Sequence, residues 1–480
     1  MPPTSLTNAT ALELAALVRE RQLSPVQVVG HFLDRIAAFD GELGSFITLA
    51  AEQAMTAAHA AERALLAGED LGPLGGVPIG VKDLTATRGI RTTYGSLLMA
   101  DFVPDADDVP AERVRRAGAI IVGKTSTPDY GWKGTTENMI SGPTRNPWDP
   151  ARVAGGSSGG SAAALAARLV PLATGSDAGG SIRIPASCCG VFGIKPTMGR
   201  VPSDYRRQAG GWGALSQNGA MAHTVADAAA LLGVLAGYDE RDARSLRDAP
   251  GDYLTAAQQP SAKGLRVAWA PDMDGVPVEP VVREATARAV RVLEGLGAHV
   301  EEAAPPVVTA DAVTTWATLS LTDLAVSLGP AIAAGKGSLL PPRLVRWLED
   351  AMAWPATRYA MALRALEWHR ERFATFFADY DVLAMPTLAT QPFPIDEPPA
   401  RIEGREVHPS WGYTPFCVHA NLTGRPAVAI PCEPGPDGLP IGLQLVGHHG
   451  GEEALLRAAA AMEQAMPWVG RFPARFADPL

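Results

Sequence analysis

Apolar positions in the first seventy residues recur at helical spacing, and two of these runs carry their own start signals. Thr10 precedes Glu13, and Ser24 precedes Gln27, at the spacing of a capping box, and Pro25 fits the first turn of the second helix. A third helix is expected from Ala50 to about Ala67. From residue 71 the pattern changes. Short apolar runs (VPIGV at 77–81, AIIVG at 119–123, LVPLATG at 169–175) alternate with Gly/Ser/Pro-rich turns and one Ala-rich helix at 160–168. That alternation predicts an α/β core. Thr224 with Asp227 marks a further helix start, and residues 239–262 are polar and turn-rich, as a connection would be. Then come LRVAWA, a helix over 280–296, HVEEA, and a helix-rich stretch containing Trp316, Trp347, Trp354 and Trp368. The chain ends with the strand-like runs DVLAMPT, PAVAIP and LPIGLQLVG and a helix near 452–465.

Composition narrows the class. The chain has 480 residues, 47% hydrophobic and 19% charged, which fits a soluble protein with a large core. Its net charge of −10 and its lack of a Lys/Arg cluster of five or more argue against nucleic acid as a partner. No uninterrupted apolar run reaches the roughly 18 residues of a membrane span, and no secretory signal is visible. Cys188, Cys189, Cys417 and Cys432 lack metal-ligand spacing and read as reduced, buried residues, so a cytoplasmic protein is expected.

Three glycine-rich motifs compete for the chemistry. Gly118 to Thr125 matches the phosphate-loop pattern GxxxxGK[ST], but the four intervening residues (Ala, Ile, Ile, Val) favour a buried strand over a loop. Gly155 to Gly159 matches the GxSxG nucleophile elbow, but NPWDPARVA before it holds two prolines and makes a poor entering strand. The third reading takes two serine segments together: GGSSGGS at 155–161 and GSDAGGSIR at 175–183, joined by the Ala-rich helix and a strand. Upstream, Lys82 follows an apolar run directly, where burial is expected.

These segments, with GVPIGVKD, GAIIVGKT, TENMISGPTRNPWDP, GVFGIKPT and GLPIGLQLVG in order, resemble the amidase signature family over most of the chain. The resemblance implies one amidase domain over 1–480: a large mixed, mostly parallel twisted sheet with helices on both sides. Within it lie a helical N-terminal segment (1–70), a catalytic core (71–245) and a helix-rich variable substrate region (305–378). It implies Lys82 as base, Ser157 as bridging serine after a cis peptide bond, and Ser181 as nucleophile. The oxyanion hole would come from the N–H groups of Ala178, Gly179, Gly180 and Ser181. Ser158, Ser176, Asp177 and Arg183 would support the loops. No metal or organic cofactor is implied.

The chemistry is consistent with those residue types. A serine hydroxyl needs a base within hydrogen-bonding reach, and lysine serves only when uncharged. Its pKa must fall from about 10.4 towards 7–8, roughly 4 kcal/mol supplied by the fold. Tyr130, Trp132, Met139, Ile140 and Trp212 are the pocket candidates, with loop 203–213 as a lid. The expected substrate is a small aryl or apolar amide, an anilide, a carbamate or an ester. The sequence departs from common family patterns at GKTS and NGAMA. The glutaminase component of a tRNA-dependent amidotransferase is the main alternative, a nucleotide-binding protein is another, and a homodimer is left open.

Overall fold

Helices begin where the local signals place them. In the computed structural model, which describes residues 5–204, 215–273 and 275–477, the first three helices are Ala11–Arg19, Pro25–Leu43 and Ala51–Leu66. Thr10 Oγ1 accepts from the Glu13 N–H at 3.1 Å, and Glu13 accepts from the Thr10 N–H at 2.8 Å. Ser24 and Gln27 form the second box, with Pro25 in the first turn. Thr224 caps Val225–Leu235 by accepting from the Asp227 N–H at 3.0 Å. The Asp227 carboxylate also reaches back to the first helix, accepting from the N–H groups of Ala11 (3.1 Å) and Leu12 (3.0 Å). Thr224→Ala is therefore expected to cost about 1 kcal/mol, read as a lower urea midpoint.

Eleven strands form one sheet: Phe46–Leu49 (β1), Pro78–Lys82 (β2), Ile120–Thr125 (β3), Leu172–Asp177 (β4), Phe192–Lys195 (β5), Gln217–Ala222 (β6), Arg266–Trp269 (β7), His299–Glu302 (β8), Val382–Pro386 (β9), Ala427–Pro431 (β10) and Gly442–Gly447 (β11). Their spatial order is β1-β3-β2-β4-β6-β5-β10-β11-β9-β7-β8. The sheet is mixed and flanked by helices, as expected. Its parallel pairings lie towards the two wings, β3-β2-β4 and β9-β7-β8. From β4 to β9 every pairing is antiparallel, and so is β1 with β3, so six of the ten pairings are antiparallel. Between β10 and β11 a short connection lets the chain double back without a crossover helix.

Two local expectations need correction. The N-terminal segment is not wholly helical, because Phe46–Leu49 adds a four-residue strand at one rim of the sheet. The connection at 239–262 contains a short helix, Tyr253–Gln258, capped by Asp252. At the other rim β8 leaves most of its side chains exposed.

The helix-rich region consists chiefly of Thr309–Ala331, Pro342–Met352 and Ala356–Phe376. By length and composition alone the run Thr309–Leu339 is apolar enough to cross a membrane. Its buried residues, including Ala312, Trp316, Leu324 and Leu328, pack with Leu344, Leu348, Ala362 and Leu366 of its neighbours. The same cluster includes Trp132 and Ala178, so this region is fastened onto the end of β4.

Candidate active site

Lys82 is the last residue of β2, held between β3 and β4 and fully buried. Its Nζ lies 2.7 Å from Ser157 Oγ, 3.0 Å from Ser176 Oγ and 3.1 Å from the Ser176 carbonyl. Burial pushes the Lys82 pKa well below its ordinary value, against the opposing charge of Asp177. The Gly156–Ser157 bond is cis, as the resemblance implied.

The two serine loops are stitched together through the backbone. The Ser158 N–H donates to the Ser181 carbonyl at 3.1 Å, and Ser158 Oγ accepts from the Ser176 N–H at 3.3 Å. Small residues make this approach feasible. The helix Gly159–Ala166 is buried on every side, and a Cβ on Gly160 would stand 2.2 Å from the Ser126 nitrogen. Ser157 is buried beside Lys82, whereas Ser181 is partly exposed at the cleft.

Asp177 holds the Ser181 loop from beneath. Its carboxylate accepts from the N–H groups of Gly180 (2.7 Å) and Ile182 (3.1 Å), from Arg183 at 2.8 and 2.9 Å, and from Asn421 Nδ2 at 2.9 Å. Burial alone would raise the Asp177 pKa, but the paired Arg183 guanidinium outweighs it and holds the carboxyl well below the usual range. Arg183 also donates to Asn421 Oδ1 at 2.7 Å, to the Cys417 carbonyl at 2.9 Å and to Gln444. These bonds correct the expected oxyanion set: the Gly180 N–H is already committed to Asp177. Among the described residues the N–H groups of Ala178, Gly179 and Ser181 have no partner.

The cleft over Ser181 is lined by Trp132, Trp316, Trp411, Ile184, Val313 and Val418, with Lys133 and Thr414 at its side. Trp316 meets Trp411 edge-on at 4.7 Å, and Trp347 meets Trp132 at 5.2 Å. Free space is about 20 Å³, room for one or two waters.

The family model described as Amidase matches residues 27–456. The chain belongs to the amidase signature family. Similar proteins include the A component of the glutamyl-tRNA(Gln) amidotransferase of Acidothermus cellulolyticus (38% identical, covering 96% of this chain and 95% of that one). An acylamidase of Rhodococcus erythropolis is 37% identical over 97% of both. Among solved structures, a bacterial aryl acylamidase of the same family superposes with a TM-score of 0.91 at 31% identity, covering 98% of this chain and 99% of that one. This amidase is thus a hydrolase acting on amides.

Within the amidase frame, Lys82, Ser157, Ser158, Ser176, Asp177, Ala178, Gly179, Gly180, Ser181 and Arg183 all gather at the end of β4. The pocket candidates fare less well. Trp132 lines the cleft. Tyr130 does not; it is buried against Tyr94, with parallel rings 6.1 Å apart. Met139 is exposed and Ile140 is partly exposed, both away from the cleft, because the turn at Asn138 carries them outward. Trp212 and most of loop 203–213 lie outside the described residues.

The phosphate-loop match is overturned here. Lys124 is buried inside β3, donating to Thr87 Oγ1 (2.8 Å), Thr92 Oγ1 (3.0 Å) and the Thr85 carbonyl. Sequence reasoning missed Trp411, Thr414, Val418 and Asn421, which arrive from more than 200 residues downstream of the serine loops.

Proposed function

We propose that this amidase hydrolyses the C–N bond of an aryl or apolar amide through an acyl-enzyme on Ser181, with Ser157 and Lys82 as proton relay. The observation that carries this reading is the 2.7 Å approach of Lys82 Nζ to Ser157 Oγ, in a chain whose Ser181 lines a tryptophan-rich cleft. An uncharged amine has two N–H donors and one lone pair. The Ser176 carbonyl and Ser176 Oγ take the two donors, leaving the lone pair for the Ser157 proton. Ser157 in turn removes the Ser181 proton as Ser181 Oγ bonds to the carbonyl carbon. The relay then returns a proton to the amide nitrogen, the C–N bond breaks, and the amine leaves. Water, deprotonated by the same relay, cleaves the resulting ester and restores Ser181. The Gly179 and Ser181 N–H groups stabilise the oxyanion in both halves.

The cleft favours flat apolar groups. Its aromatic walls supply large contact area and edge-on partners for a ring. The Trp132 indole N–H, buried beside it, has no acceptor among the described residues and suits a polar atom on the substrate. The amidotransferase relatives favour a second reading, a glutaminase that works with partner chains. Glutamine's charged amino-acid end fits the tryptophan walls poorly. The test is release of amine from anilides, aliphatic amides, carbamates and glutamine by the isolated chain, with mass spectrometry of Ser181 during turnover. Aniline release with an acyl adduct on Ser181 is expected. Activity confined to glutamine, or dependent on partner chains, would establish the second reading instead.

A further inference from the structure

The peptide between Ala178 and Gly179 presents two polar groups in opposite directions. It is a trans unit, so the Ala178 carbonyl and the Gly179 N–H lie on opposite sides of the chain. The carbonyl accepts from the Trp316 indole N–H at 2.7 Å. The Gly179 N–H has no partner among the described residues. The Trp316 ring also covers this peptide closely: a Cβ on Gly179 would stand 2.6 Å from Trp316 Cζ2 and 2.9 Å from its Nε1. Trp316 is only 5% exposed and lines the cleft that contains Ser181.

We propose that Trp316 is a positioning residue for the oxyanion hole: its indole N–H fixes the Ala178 carbonyl on one side of the peptide and so aims the Gly179 N–H at the substrate carbonyl oxygen. The inference rests on acyl transfer at Ser181 as set out above. Gly179 has no side chain to resist rotation, so this peptide unit can turn about its flanking bonds at little steric cost. A turned unit would present the Ala178 oxygen where negative charge develops. Asp177 prevents this for Gly180 from below, by accepting its N–H. Trp316 prevents it for Gly179 from above. One side chain therefore serves as cleft wall and as support for the donor. Substrate packing against its ring holds the donor in place, so contacts remote from the scissile bond are expressed at the reacting centre.

The test compares wild type with Trp316→Phe, which keeps a ring but loses the donor, and Trp316→His, which offers a ring N–H. For an anilide, Trp316→Phe is expected to lower kcat by about 10²-fold, the scale of losing one oxyanion donor, with little change in KM. A trifluoromethyl ketone, which binds as a tetrahedral oxyanion, should weaken by a similar factor, and Trp316→His should recover part of both. An unchanged kcat, or a loss carried wholly by KM, would overturn the inference. If wild type releases no amine from any amide, the proposed reaction has failed, and the inference is then judged on a crystal structure of Trp316→Phe. An Ala178–Gly179 peptide unmoved in that structure would overturn it; a turned peptide would support it. Should the Phe variant not fold, Trp316→Leu, which also lacks the donor, takes its place: a lost kcat with a turned Ala178–Gly179 peptide would support the inference, and an unchanged kcat or an unmoved peptide would overturn it.

Discussion

Ser181→Ala and Lys82→Ala are each expected to remove at least about three orders of magnitude from kcat, measured as amine release under saturating anilide. Losing a nucleophile removes the covalent route altogether, and members of one relay do not contribute additively, so the double variant should be little worse than either single one. A general base is worth about 10²–10⁴-fold in its own right. Lys82→Arg should not rescue, because a guanidinium stays charged and offers no lone pair. The pH dependence follows from the direction of the shift. Burial lowers the folded-state pKa of Lys82, so activity rises as pH climbs through that lowered value and the amine sheds its proton. The unfolded lysine keeps its proton up to about 10.4. Between the two values the unfolded state binds more protons, so the contribution of Lys82 to stability increases with pH across that window. At neutral pH this side chain therefore costs folding energy, and a full-activity Lys82→Ala would remove the relay from consideration.

The second large effect is on folding. Asp177→Ala is expected to destabilise the protein by about 3–5 kcal/mol, since it leaves a buried guanidinium without its carboxylate. The same change strips the Gly180 and Ile182 N–H groups of their acceptor and releases one contact of Asn421. Chemical denaturation would read the stability loss, and kcat should fall with it because the nucleophile loop loses its lower anchor. The Asp177 pKa is depressed, so its contribution is present above the ordinary carboxylate value of about 3.9 and is lost only as pH falls through the lowered folded value. Acid unfolding of the wild type should therefore begin elsewhere than at this pair. A variant with an unchanged denaturation midpoint would show that Arg183 is held adequately by Asn421, Gln444 and the Cys417 carbonyl alone.

Much of this arrangement was legible in the chain because its causes are local. Thr10, Ser24 and Thr224 announce helix starts through side chains that cap the next turn. The serine loops advertise themselves through glycines that permit close approach. Lys82 is legible because it ends an apolar strand. The β1 strand was not, since four residues between two long helices carry no clear alternation. Tyr130, Met139 and Ile140 were misjudged because nearness in sequence to a serine loop does not survive the turns at Gly131 and Asn138. Trp411, Thr414 and Asn421 were invisible for the opposite reason: only the pairing of β10 with β5 and β11 brings that end of the chain to the nucleophile loop. The commitment of the Gly180 N–H to Asp177 depends on a carboxylate rotamer, which no spacing rule encodes.

The rim strand His299–Glu302 has a consequence for how copies of this protein meet. An edge strand, paired on one side only, offers the backbone donors and acceptors of its other side to any neighbour. Here the rim ends in Glu301 and Glu302, both reaching solvent. Two molecules approaching rim to rim would oppose four carboxylates, a charge barrier that discourages runaway extension of one sheet into the next.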